Sequence, residues 1–324
     1  MQSTEQPELR LLTIHAHPDD EASKGASTVS ACSAAGVYCV LVCCTGGEAG
    51  DILNPAMDRP EVHACLPEVR AGELRRSAEI IGYDEVVMLG YHDSGMSDPV
   101  DDDHPEDHPD SHPDTQPNAF ADADPNEAVG RLVGIIRRVR PHVVVTYPDE
   151  RRGYNHPDHL QVHDVSVPAF AAAGDPARYP EAGEPWQPLK LYFTTWSRAR
   201  IAALHAKFGE LGLRSPYGEW WFERRPSHDH LITTKVPVGG HWQARCDALR
   251  AHATQIDPAS PFWFGLPDDV AGDAYPWDDY VLAETLVGGP PEGELESDLF
   301  DRIRWMGRAE VDALARRAAV EEPA

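Results

Sequence analysis

The chain has 324 residues, of which 28 are basic and 54 acidic, giving a formal net charge of -26. A surface this acidic repels phosphate backbones and anionic lipid headgroups, which argues against nucleic-acid and membrane partners. No apolar run approaches the roughly 18 residues of a membrane span, and the N-terminus lacks a charged-then-apolar leader pattern, so a soluble, cytoplasmic protein is expected.

Residues 11–15 form a short apolar run that fits a first buried strand. Small residues from Ser23 to Ala35, ending at Gly36, read as a helix with a glycine stop. Residues 37–44 are a second strand and residues 67–82 a helix with proline near its start and glycine at its end. Residues 86–89 are a third strand. Residues 126–140 carry apolar side chains at helical spacing, and residues 142–147 form a β-branched fourth strand. A helix over 159–173 and a strand over 189–195 follow. Alternating strands and helices predict an α/β, Rossmann-like three-layer sandwich with a mostly parallel sheet. Past residue 196 the pattern weakens into Pro- and Gly-rich sequence with scattered aromatics, and an irregular C-terminal cap is expected. The division expected is a metal-binding catalytic domain over 1–195 and a substrate-side region over 196–324, packed on the same fold. The six cysteines, at 32, 39, 43, 44, 65 and 246, form no Cys-x-x-Cys pair and are expected to be buried free thiols.

Residues 97–125 hold an Asp/His/Pro-rich insertion. His104, His108 and His112 recur within 98–114, which resembles a metal-binding tract. The prolines at 105, 109 and 113 prevent a shared helical face, and the dense negative charge favours a solvated, poorly ordered loop.

Two other segments carry chemistry: His15-Ala16-His17-Pro18-Asp19-Asp20-Glu21 and Tyr154-Asn155-His156-Pro157-Asp158-His159. Each ends a predicted strand and opens a helix, where ligands of such sheets bind. Two histidines and a carboxylate are a standard catalytic zinc set with one position left for water, which the metal acidifies. His17 and Asp20 are three apart and can face one point in a tight turn, and His159 arrives from the neighbouring loop. Asp19 is then left to take a proton. His156 is left to serve an oxyanion or leaving amine, and Asp158 to orient a histidine. Helix capping alone explains one such aspartate but not the doubled pattern.

These segments resemble the PIG-L/LmbE-type N-acetylglucosaminyl deacetylases, which carry Ala-His-Pro-Asp-Asp-Glu near the N-terminus and His-Pro-Asp-His mid-chain. Within that family the chain is most similar to the mycothiol S-conjugate amidases. The matching pieces include residues 15–25 with Lys24, Thr45-Gly46-Gly47-Glu48, residues 52–57, Glu68-Val69-Arg70, Asp93-Ser94-Gly95, residues 153–159 and residues 249–258. The resemblance implies His17, Asp20 and His159 as metal ligands, Asp19 as general base, His156 as acid or oxyanion histidine, and Tyr154 as a mobile active-site tyrosine. It further implies that Arg70, Asp93 and Glu48 bind sugar and inositol hydroxyls, with Lys24 marking the conjugate amidases. The implied activity is hydrolysis of the amide of a small-molecule thiol conjugate, with Zn2+ as cofactor, although Fe2+ suits the same ligands. Two alternatives stand beside it: an N-acetylglucosaminyl-inositol deacetylase, and a metal-binding protein that uses the 98–114 stretch. The family's Tyr-Asp-Glu-Asn-Gly-Gly-Tyr-Pro run is replaced here by a run containing Arg151, Arg152 and Asn155, which leaves detoxification and natural-product biosynthesis both open.

Overall fold

The structure is a computed structural model that describes residues 9–96, 117–149, 151, 155–218, 221–222 and 227–318. Its first strand, β1 (Arg10–His15), is buried along its whole length, as expected for a strand covered on both faces. The chain then forms a short α1 (Asp20–Ser23) and α2 (Ala26–Ala34). A single helix was expected here. It breaks at Gly25, whose φ of +92° suits glycine and where a Cβ would lie 2.7 Å from the Tyr280 hydroxyl. β2 (Tyr38–Thr45), α3 (Pro60–His63), α4 (Leu66–Ile81) and β3 (Glu85–Tyr91) follow.

α5 (Pro125–Val139) starts at Asp124, whose side chain accepts the Glu127 amide, and buries Ala128, Leu132, Val133 and Ile136. β4 (Val143–Thr146), α6 (Pro157–Ala173) and β5 (Lys190–Thr195) complete the parallel part. The later segment adds α7 (Arg198–Glu210), β6 (Thr234–Pro237), α8 (Trp242–Ala251), α9 (Pro261–Phe264), α10 (Asp268–Ala274), β7 (Trp277–Thr285) and α11 (Arg308–Ala318).

One seven-stranded sheet has the order β3-β2-β1-β4-β5-β7-β6. β1 to β5 pair in parallel, with Leu12 opposite both Val40 and Val144. β7 and β6 join antiparallel at the β5 edge. The region beyond 196 therefore contains ordered strands and helices in addition to cap segments. Its Val236, Leu249, Tyr280 and Phe300 share the main core with Leu12 and Val144.

Two sequence expectations need correction. Five cysteines are buried, but Cys65 is exposed, because it precedes α4 at the surface rather than lying in a strand. The 97–125 insertion is not loop to its end: Ala119 bridges His92 and buried Phe120 packs on Tyr91 at 5.2 Å. Residues 98–114, with their three histidines, lie outside the described residues, as does Tyr154. Among the described residues no helix is long and apolar enough to cross a membrane.

Candidate metal centre and active site

Strand order reverses between β1 and β4, since β2 and β3 extend to one side and β5 to the other. A crevice at the carboxyl ends of these strands is where open α/β sheets hold ligands. The 15–21 segment leaves β1 there. The 156–159 segment opens α6 there, with His156 at its N-cap accepting the Asp158 amide on Nδ1 at 3.2 Å.

The first turn is strained. Asp19 has φ of +108°, a left-handed conformation that costs a non-glycine residue about 1–3 kcal/mol. The surroundings hold it there. Its amide donates to Glu21 Oε2 at 3.0 Å, and Arg70 Nη2 donates to Pro18 O at 2.7 Å and to Asp19 Oδ2 at 3.2 Å. Arg70 Nη1 also donates to Gly47 O, and a Cβ at Gly47 would sit 2.3 Å from the guanidinium carbon. Gly47 and Gly50 thus let the loop wrap this buried cation closely.

His17, Asp20 and His159 converge. His17 Nδ1 lies 3.5 Å and His159 Nε2 3.2 Å from Asp20 Oδ2, and one ligand atom from each falls within 4.8 Å of the others. All three residues are buried. The opposite nitrogen of His17, Nε2, lies 3.0 Å from Asp158 Oδ2 and 3.4 Å from Asp93 Oδ1. Ser94 in turn donates from its amide and hydroxyl to Asp158, at 3.0 and 2.5 Å.

Electrostatics fit a cation at this point. Burial opposes a charged His17, yet hydrogen bonds to Asp158, Asp20 and Asp93 hold its proton well above the usual histidine range. Against burial, His159 and Lys24 hold the Asp20 carboxyl well below its ordinary value. Enclosure and the Asp20 charge push Asp19 up to about 6, against the pull of Arg70. His156 is driven down to about 4 by burial and by His17, so its imidazole is neutral at pH 7. Four carboxylates thus surround the histidines, and two imidazoles plus one carboxylate form a donor set that suits Zn2+ or Fe2+.

A cleft of about 350 Å³ opens over this centre. Its lining combines His17, Asp19, Asp20, Arg70, Asp93 and His156 with the apolar side chains of Leu53, Met96, Ile256 and Trp263. Lys24 and Glu48 stand outside this lining. The Lys24 ammonium donates to Asp20 Oδ1 and lies 5.1 Å from the centre of the Tyr147 ring. Glu48 Oε1 is 2.6 Å from His92 Nδ1.

Sequence reasoning missed the frame beneath the turn. Buried Glu21 accepts from Ser77 Oγ at 2.5 Å and pairs with His252 Nε2 at 2.6 Å. Buried Glu73 accepts from the amide and hydroxyl of Thr254 at 2.8 and 2.6 Å. The 249–258 motif contained His252 and Thr254, so the signal was present, but its partners lie 231 and 181 residues away.

The curated relatives, with which the buried His/Asp cluster agrees, define the class as a metal-dependent amidohydrolase. The chain belongs to the PIG-L family: the description "PIG-L: GlcNAc-PI de-N-acetylase" matches residues 12–170, and full-length relatives align with it. One, a mycothiol S-conjugate amidase of Streptomyces coelicolor, is 41% identical over 307 residues, covering 92% of this chain and 98% of the relative. A 1D-myo-inositol 2-acetamido-2-deoxy-alpha-D-glucopyranoside deacetylase of Streptomyces avermitilis is 35% identical over 311 residues, covering 92% and 98%. Among solved structures, an N,N'-diacetylchitobiose deacetylase of Pyrococcus horikoshii shares the fold at TM-score 0.55 and 16% identity, covering 86% of this chain and 84% of that one.

Proposed function

We propose that this protein hydrolyses the amide of mycothiol S-conjugates, releasing an N-acetylcysteine S-conjugate and glucosaminyl-inositol. The observation that carries this reading is the convergence of buried His17, Asp20 and His159 beside Asp19, under a cleft partly lined by apolar side chains. Both substrates present the same sugar and inositol, and on the acyl side a deacetylase needs room for an acetyl group only. The apolar Leu53, Ile256 and Trp263 in the cleft lining offer surface for the larger S-linked group of a conjugate. The similarity to the Streptomyces coelicolor amidase supports the same choice.

His17, Asp20 and His159 would hold the divalent cation, which when bound polarises a carbonyl and acidifies water. Asp19 takes the proton from the attacking water at its carboxylate, which Arg70 aims from 3.2 Å. The water oxygen bonds to the amide carbon. Neutral His156 donates a hydrogen bond to the developing oxyanion. The C–N bond then breaks, and the proton held on Asp19 passes to the leaving amine. Asp158 and Asp93 fix the His17 ring from behind, a role that tunes metal ligands by position. Tyr154 is assigned to the same step from the resemblance alone. The Lys24 ammonium, resting on Asp20, adds positive charge at the rim of the centre.

The deacetylase relatives favour a second reading, removal of acetate from an acetamido-glucosyl inositol. Mass spectrometry of products from both substrate types, with zinc-loaded and ferrous protein, separates the two. Cleavage of the thiol conjugate at least about tenfold faster supports the amidase, and the reverse order supports the deacetylase. Deleting residues 98–114 tests the insertion. Retained hydrolysis with one tight metal excludes that stretch as the working site.

A further inference from the structure

The turn that carries Asp19 has a second support, which the mechanism above does not use. Three donors converge on fully buried Glu21: the Asp19 amide on Oε2 at 3.0 Å, and Ser77 Oγ and His252 Nε2 on Oε1 at 2.5 and 2.6 Å. A carboxylate accepts at both oxygens, whereas a glutamine would aim an NH2 group at one of these donors. Since the ionised carboxylate offers lone pairs alone, His252 carries a proton on Nε2.

His252 is itself fully buried, and its Nδ1 has no hydrogen-bond partner among the described residues. Leaving a buried polar atom unsatisfied costs about 1–3 kcal/mol, so an apolar side chain would fill this space better. What the imidazole supplies is the bond at Nε2. Through one carboxylate that bond reaches the amide of Asp19, whose φ of +108° needs support from its surroundings.

The supports of the turn share a platform. Arg70, Glu73 and Ser77 stand at helical spacing on one buried face of α4. Arg70 holds the Asp19 carboxylate, Ser77 holds Glu21, and Glu73 accepts from Thr254, two residues past His252. The strap over 252–256 has anchors of its own. Thr254 O accepts the amides of Leu53 and Asn54 at 2.9 and 3.3 Å, and Gln255 Nε2 donates to Asp51 O at 2.9 Å. This strap gives Gln255 and Ile256 to the cleft lining. None of these anchors passes through His252. Losing its side chain therefore releases the Asp19 turn and leaves the cleft lining in place.

We propose that His252, acting through Glu21, is a positioning residue that holds Asp19 in its left-handed conformation. Arg70 fixes the carboxylate end of Asp19, and the His252–Glu21 pair fixes its backbone end. This rests on the reading above in which Asp19 takes the proton from water.

Turnover of the S-benzyl conjugate of mycothiol by the metal-loaded protein tests it. His252→Phe is expected to keep stoichiometric metal and a KM within about twofold, while kcat falls about 10–100-fold. His252→Gln, whose amide restores a donor near the Nε2 position, recovers most of that loss. In an Asp19→Asn background, His252→Phe is expected to change kcat by less than about twofold, because a residue that acts through Asp19 then has nothing left to position. Amide hydrogen exchange reads the turn without turnover. In His252→Phe, exchange over 19–21 is expected to rise at least about tenfold while β1 stays protected. If the conjugate is not cleaved, or Asp19→Asn keeps near-normal turnover, the functional reading falls while exchange still decides whether His252 holds the turn. Equal kcat losses in both backgrounds, a loss confined to KM or to metal content, or unchanged exchange at the turn overturns the proposal. Should His252→Phe fail to fold, Ser77→Ala removes the other donor from the same Glu21 oxygen and is read by the same measurements.

Discussion

The candidate metal centre and the arginine–tryptophan cluster around Trp242 are two answers to buried charge. At the centre, Asp20 faces two imidazoles and Lys24, Asp158 is held by Ser94, and Asp19 by Arg70. Carboxylates are in excess there, and the excess suits a cation. Around Trp242 the excess is of donors: Asp278 lies 3.6 Å from Arg200, and the Arg245 guanidinium has no ion pair among the described residues. An excess of acceptors beside a cleft suits a cation, whereas buried guanidiniums on the Trp242 ring are held by the aromatic face. A balanced pair such as Lys190 and Glu296, buried at 2.7 Å, reports only structure.

The comparison can be broken at several points. The largest effect is expected at the centre itself. His17→Ala should abolish stoichiometric metal in elemental analysis and lower turnover about a thousandfold or more, since metal polarisation is worth several kcal/mol. Full metal content in that variant would contradict the ligand set. Asp19→Asn should keep the metal and lose about 10²–10⁴ in kcat, the range of a positioned proton acceptor. Near-normal turnover would remove Asp19 from the proton step. Arg70→Lys keeps the charge but loses the fork, and a fall of about 10–100-fold in kcat with KM little changed is expected.

Stability measurements sharpen the other side. Asp278→Asn removes the carboxylate beside Arg200 and should lower Tm by several degrees, because an unpartnered buried charge costs about 3–5 kcal/mol. Arg245→Met should leave Tm within about 2 °C or raise it, because this side chain has no hydrogen bond to lose. A large drop in the Met variant would show that Arg245 is a structural residue.

Much of the parallel sheet was legible in the sequence. β1, β2 and β4 are buried on both faces, and their apolar runs announce it. The doubled His-Pro-Asp pattern marked the two strand ends that the fold brings together. β7 was not legible, because Asp278 and Asp279 interrupt its apolar pattern. Both are buried, as acceptors for Thr28 and for Ser197 and Tyr275. Such pairings span 250 residues in one case, and no local period encodes them. Arg70 read as a substrate contact, and its position under Asp19 needed the closeness of Gly47 to be seen. Arg200 and Arg245 sit on helices where arginine ordinarily signals solvent, so nothing local separates them from surface cations.

The break at Gly25 has a consequence for how the protein matures. Gly25, just past the short helix that Asp20 opens, packs closely on the hydroxyl of Tyr280, and the next helix is tied to Asp278 through Thr28. A ribosome will have made His17, Asp20 and His159, the proposed metal ligands, long before it makes that seat. Metal affinity should therefore be weak in nascent chains that end short of β7 and tighten once that strand docks. Bound metal becomes a gauge of whether the last third of the protein has folded.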